Sequence, residues 1–146
     1  MNYEIKIDSD YTDPKVLILT AQLTQEVNEL LGRLQENSPK ILTGTRDDRL
    51  EILSEREIIR VLAQEGKVLA YTDQGCYTLR LRLYEAEDRL NKKTFVRISN
   101  SEIVNLRKIK NFDFSITGTI CIRLTDGTTS YVSRRYVQKI KKILGV

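Results

Sequence analysis

Hydrophobic and polar positions repeat along this chain with two different periods, and the places where the period changes mark its elements. Tyr3-Glu4-Ile5-Lys6-Ile7 alternates strictly, the pattern of a strand with one covered face. Val16-Leu17-Ile18-Leu19 is an unbroken apolar run and predicts a second strand. From about Thr24 to Glu36 the spacing turns helical, with Val27, Leu30, Leu31 and Leu34 one and two turns apart on one face. A β-β-α unit of this size cannot cover its own apolar stripe. It reads as a lid on its own strands or on the following domain, in preference to a docking face for a second subunit or regulator. Asn37 to Asp48 is polar and contains Pro39 and Gly44, the composition of a linker.

Beyond the linker the period of two dominates. Ile58, Ile59, Val61 and Leu62 predict a strand that turns at Gln64-Glu65-Gly66-Lys67 and returns through Val68-Leu69-Ala70-Tyr71. Cys76 to Leu81 is the next strand, and Tyr84 to Leu90 has the charged texture of a short helix. Val96 and Ile98 then alternate with Arg97 and Ser99, and Ser99-Asn100-Ser101 breaks the alternation with three small hydrogen-bonding side chains. Ile103, Val104 and Leu106 form a compact apolar turn after that corner, and a strand follows from Lys110 to Ser115. A polar tip between two apolar anchors is how a scaffold presents a contact loop. Ile120 to Leu124 and Ser130 to Val132 flank Asp126-Gly127, a hairpin signal. A helix from about Arg134 to Leu144, with Val137, Ile140, Ile143 and Leu144 on one side, closes the pattern. The predicted fold class is mainly β (α+β): an elongated strand-rich domain of antiparallel sheets with a C-terminal helix over residues 48–146, preceded by a small N-terminal β-β-α extension with linker over 1–47.

Composition removes most chemistry. The chain has no histidine, which excludes histidine general bases, Ser-His and Cys-His catalytic pairs and most transition-metal sites. Cys76 and Cys121 are too few and too far apart for a disulfide framework or a zinc site, and both read as small buried apolar residues. No catalytic residue, metal or cofactor is expected. No apolar run is long enough to span a bilayer and no signal-peptide pattern opens the chain, so a cytoplasmic location is expected.

Charge adds what the pattern lacks. The net charge of +4 is the sum of −3 over residues 1–50, −2 over 51–91 and +9 over 92–146. A positive field gathered in one part of a chain points to a polyanionic partner. Arg134 and Arg135 fall in the first turn of the last helix, behind Ser133 as predicted N-cap. Cations there oppose the helix dipole, so they answer an anion outside the fold better than they serve stability. Lys139, Lys141 and Lys142 lie toward the other helix end, where cations are favoured in any case.

Two blocks of sequence carry a resemblance. Phe95-Val96-Arg97-Ile98-Ser99-Asn100-Ser101-Glu102-Ile103-Val104-Asn105-Leu106 resembles the central signature of the LytTR DNA-binding domain, a strand with an arginine, a polar step, and an apolar-Val-Asn run. Leu124-Thr125-Asp126-Gly127 followed by Val132-Ser133-Arg134-Arg135-Tyr136 resembles its second signature. The likeness spans about residues 50–144, and Ile58 to Ala63 with the hairpin after it looks like the family's first strand pair. Ser99 stands where the family often has histidine, and Asn100 where it often has a basic residue.

The resemblance implies a stand-alone bacterial transcription regulator, cytoplasmic, binding double-stranded DNA through loops and strand ends without a recognition helix. It implies a homodimer on repeated half-sites, of the type often accompanied by a small membrane protein that restrains it. Three loops would make the contacts: Gln64–Lys67, Ser99–Ser101 and Ser133–Arg135. On that basis Asn100, Arg135, Lys67 and Gln64 are the expected base contacts, with Asn suited to adenine and Arg to guanine. Arg97, Ser99, Ser101, Arg107, Lys108, Arg134 and Lys139 are the expected phosphate contacts. Tyr77, Tyr131 and Tyr136 read as core or core-edge residues. A non-catalytic interaction module that offers its basic surface to an acidic partner is the alternative from another class.

Overall fold

The computed structural model describes residues 1–36 and 41–146, and the residues 37–40 of the predicted linker lie outside that description. The chain divides into two compact units, Met1–Pro39 and Lys40–Val146.

In the first unit, α1 (Gln25–Glu36) is the regular element among the described residues. Thr24 caps it: its carbonyl accepts from the Asn28 N–H at 3.0 Å and its hydroxyl from the Val27 N–H at 3.3 Å. The two predicted strands are not formed. Among the described residues, 3–7 and 16–19 join no sheet, and Tyr3, Ile5, Ile7, Val16, Leu17 and Leu19 are exposed. Alternation or an apolar run marks a segment suited to a sheet, but a strand exists only against a partner, and among the described residues neither run has one.

The second unit is built from ten antiparallel-paired strands. In chain order they are β1 (Thr43–Arg46), β2 (Arg49–Ile52), β3 (Ile58–Gln64), β4 (Lys67–Thr72), β5 (Gly75–Leu79), β6 (Phe95–Ser99), β7 (Glu102–Asn105), β8 (Ile109–Asp113), β9 (Ile120–Leu124) and β10 (Thr129–Val132). The helix α2 (Leu83–Arg89) lies between β5 and β6, and α3 (Arg134–Leu144) follows β10. A seven-stranded sheet runs β2-β1-β5-β4-β3-β7-β6, and a three-stranded sheet runs β10-β9-β8.

Two cores sit on opposite faces of the large sheet. Ile58, Val61, Phe95 and Ile103 pack with Leu83, Ala86 and Leu90 of the α2 segment. Ile59, Val96, Ile98 and Val104 pack instead with Ile120, Ile122, Leu124 and Val132 of the small sheet and Ile140 of α3. Neighbouring residues thus serve opposite cores, as the strand period requires. All four residues of β7 are buried. This is why Ile103-Val104 does not form the compact turn that the apolar run suggests: β7 is a central strand, paired with both β3 and β6.

Gly44 was expected in a linker and is buried in β1 instead. A Cβ there would stand 2.7 Å from the Cβ of Tyr77, so only glycine lets β1 lie against β5. Arg46 at the end of the same strand stacks over the Tyr77 ring at 4.6 Å. Cys121 is buried as expected, but Cys76 is exposed on β5, where partial burial still pushes its thiol pKa up.

Asn105 is the buried polar joint of this unit. Its amide donates to the Ile58 carbonyl at 2.8 Å and its carbonyl accepts from the Arg107 N–H at 2.9 Å, so it closes the start of β3 onto the end of β7. Asn105→Ala would leave the Ile58 carbonyl without that donor in a water-excluded position. The expected loss in unfolding free energy is about 1–3 kcal/mol, read by urea denaturation with an unchanged m-value.

Candidate nucleic-acid interface

The polar corner is a two-residue turn, Asn100-Ser101, between Ser99 and its partner Glu102. Its geometry is held from inside. Arg97 points to the α2 side of the sheet and its guanidinium makes three bonds: Nε to the Ser99 carbonyl at 2.7 Å, Nη2 to the Asn100 carbonyl at 2.6 Å, and Nη1 to Glu87 of α2 at 2.7 Å. The Ser101 N–H donates to the Ser99 hydroxyl at 3.2 Å, and the two serine hydroxyls lie 3.2 Å apart. A planar fork on two successive carbonyls fixes a turn as a single hydrogen bond cannot. Arg97 was expected on a phosphate. The structure commits its charge to Glu87 and its donors to the loop, so it shapes the tip from behind.

Two further loops meet this tip. The β3–β4 turn places Glu65 at φ 51° and Gly66 at φ 75°, the paired left-handed residues of a tight hairpin. Gln64 and Lys67 face each other across it and are exposed. The Ala63 N–H donates to the Ser101 carbonyl at 2.7 Å and joins that hairpin end to the tip. On the other side the Ser133 N–H donates to the Ile98 carbonyl at 2.9 Å, which seats the start of α3 beside β6. Ser133 occupies the N-cap position, but its side chain makes no capping bond, contrary to expectation.

Arg134 and Arg135 are exposed in a first turn that contains no acidic residue. Tyr136 connects them to the tip. Its hydroxyl donates to Asn100 Oδ1 at 3.5 Å, and the Arg135 guanidinium lies 5.9 Å from its ring centre. Tyr136 packs at the core edge, as the sequence suggests, and it also links the two signatures. Lys139, one turn beyond Arg135, continues the same helix face. Gln64, Lys67, Ser99, Asn100, Ser101, Arg134, Arg135 and Lys139 thus belong to three loops joined by contacts at one end of the sheet.

Arg107 and Lys108 do not join them. They follow β7 at the end away from Ser99–Ser101, in a short 3-10 turn, and the Lys108 ammonium is 2.7 Å from Asp73. Basic character alone could not separate the two ends of one strand.

The sequence reading also missed a polar knot beneath the site. Glu102, the residue after the tip, and Arg60 of β3 lie 3.4 Å apart, with side chains 10% and 15% exposed. The Ser130 hydroxyl of β10 donates to Glu102 at 2.5 Å and accepts from Arg60 at 3.1 Å. Arg60 also covers the Tyr71 ring at 4.9 Å. The knot joins the two sheets and sets the distance between the tip and α3. The signal was available: an acid directly behind a polar turn, inside an apolar strand, needs a partner.

The other two acids of the basic segment are engaged in turns. Bonds from the Ser115 side chain and N–H hold the Asp113 carboxyl below its usual pKa range. For Asp126 burial pushes upward, but bonds from Thr128 and the charge of Arg60 outweigh it and the pKa is lowered. Both therefore stay ionised at neutral pH while their lone pairs are locally occupied, leaving the arginines and lysines of the loops to set the outward field.

Comparison with known proteins agrees with this arrangement. Residues 48–145 match the family model of the LytTr DNA-binding domain. Uncharacterized HTH-type transcriptional regulators of Staphylococcus aureus, from strains NCTC 8325 / PS 47 and COL, are 29% identical over 147 residues, covering 100% of this chain and 99% of theirs. A solved LytTr DNA-binding domain from Bacillus cereus superposes with a TM-score of 0.69 at 24% identity, covering 73% of this chain and 97% of that one, which is a likeness of fold. Among the described residues no two helices follow each other across a short turn, so the helix pair in the Staphylococcus names has no counterpart here.

Arg97→Lys removes the fork but keeps the charge. It should cost about 1.5–3 kcal/mol of stability. Backbone order parameters for residues 99–101 should fall from about 0.85 toward 0.6, measured by nitrogen-15 relaxation, with the β1–β2 hairpin as internal reference.

Proposed function

The chain belongs to the LytTr DNA-binding domain family, and on that premise we propose that it is a DNA-binding transcription regulator that reads double-stranded DNA with the three joined loops. The observation that carries the reading is the contact chain Ala63–Ser101–Asn100–Tyr136–Arg135, which draws a hairpin end, a strand turn and a helix start into one exposed basic surface. Asn100 presents an amide on a turn whose backbone is already fixed, the condition for a bidentate contact to adenine without an ordering penalty. Arg135 supplies the fork suited to guanine. Gln64 and Lys67 reach bases from the neighbouring hairpin. Ser99, Ser101, Arg134 and Lys139 hold phosphates, which set register without reading sequence.

The remaining elements of this reading rest on family membership: a homodimer on repeated half-sites, a small membrane protein as restraint, a cytoplasmic site of action, and no chemical step. Arg97, Arg107 and Lys108 are left out of the contact set, the first because it is spent on the turn and the others because they lie at the far strand end.

A salt-series titration separates the roles. Duplex from upstream of the protein's own operon should bind more tightly than random duplex of equal length, and equal affinity for both refutes the regulator reading. Arg135→Ala should cut the discrimination between the two by about 1–3 kcal/mol. Lys139→Ala should leave discrimination intact and lower the slope of log affinity against log salt by about one.

A further inference from the structure

Ten of the nineteen large apolar side chains exposed among the described residues lie in the first 34 residues. Tyr3, Ile5 and Ile7 are 91%, 80% and 95% exposed, and Val16, Leu17 and Leu19 stand open as well. Residues 4–8 and 14–17 line one open cleft, so these apolar runs lie beside each other without forming a sheet. Scattered exposed apolar residues are ordinary, but this concentration on two strand-patterned runs is not. Among the described residues the backbone groups of residues 3–7 belong to no sheet, which leaves them open to strand pairing.

We propose that residues 3–7 are a self-association strand, taken up by the same segment of a second copy of this chain in antiparallel register across a two-fold axis at Ile5. The charge pattern selects that partner. In this register Glu4 faces Lys6 of the second copy, and by symmetry Lys6 faces Glu4, on one face of the strand pair. On the other face Ile5 meets Ile5, and Tyr3 meets Ile7 twice. Parallel in-register pairing would set Glu4 against Glu4 and Lys6 against Lys6, which is repulsive. A slip by one residue would turn the apolar side chains onto the charged face. The segment is therefore complementary to itself in one direction and one register. Val16–Leu19 flanks the new pair in each copy and extends its apolar face.

The proposal does not depend on the DNA-reading assignment, and its test contains no DNA. Sedimentation equilibrium of the full chain should give a dimer. Because symmetry applies every substitution twice, Ile5→Glu should weaken that dimer on the order of 100-fold or more. Glu4→Lys and Lys6→Glu should each weaken it about tenfold through two like-charge pairs. A one-to-one mixture of those two variants should regain association as a heterodimer, and so should the double variant with itself. Unchanged thermal melting of each variant's far-ultraviolet signal is expected, since the second unit has its own cores. A monomeric parent chain overturns the proposal, as does an Ile5→Glu dimer of undiminished affinity. A mixture that associates no better than its separate components overturns it too.

Discussion

The geometry of the whole interface depends on one semi-buried ion pair. Glu102 follows the Asn100-Ser101 turn and Ser130 precedes the α3 start by four residues, and Arg60 holds both from the central strand β3. Such pairs contribute little net stability, because desolvating two charges offsets most of their attraction. Arg60 Nε has no partner among the described residues, an added cost. What the pair supplies is registry. Apolar contacts between the two sheets would tolerate sliding, whereas a carboxylate that must meet one guanidinium and one hydroxyl tolerates very little. The spacing between Asn100 and Arg135 is thereby set within the fold, as the proposed reading of two base pairs at a fixed separation requires.

The second constraint acts on the turn itself. Arg97 donates to the Ser99 and Asn100 carbonyls and to Glu87, so three of its five donors and much of its charge are engaged within the fold. An arginine used this way adds no binding energy directly. It removes the loop-ordering cost that binding would otherwise incur. Charge therefore enters this surface in two ways: buried and paired beneath it, where it fixes geometry, and exposed at Arg134, Arg135, Lys67 and Lys139, where it sets the outward positive field.

Most strands and the last helix were legible because each carries its own local signal. The Asp126-Gly127 hairpin, the Gln64–Lys67 turn and α3 fall where the pattern puts them. The failures share a cause, which is pairing at a distance. Gly44 looked like a linker residue because the reason for it, the approach of Tyr77, lies more than thirty positions away in sequence. Ile103-Val104 looked like a turn because a strand buried on both faces shows no alternation. Residues 3–7 had the alternation and lacked the partner. In the site, the motifs placed Asn100 and Arg135 on exposed turns and Tyr136 at the core edge, whereas the internal bonds of Arg97, Lys108 and Tyr136 were not legible, because residue type does not reveal what a side chain is already bonded to.

The central claim is that three loops, spaced by the knot beneath them, form one DNA-reading surface. Nitrogen-15 correlation spectra recorded while an operator duplex is added test it most directly. The account predicts that shifts concentrate at residues 64–67, 99–101 and 133–136, including the side-chain amide of Asn100 and the side-chain Nε–H of Arg135. Residues 106–108 and the β1–β2 hairpin should change little. Shifts centred on residues 106–108, or confined to one of the three loops, would contradict it.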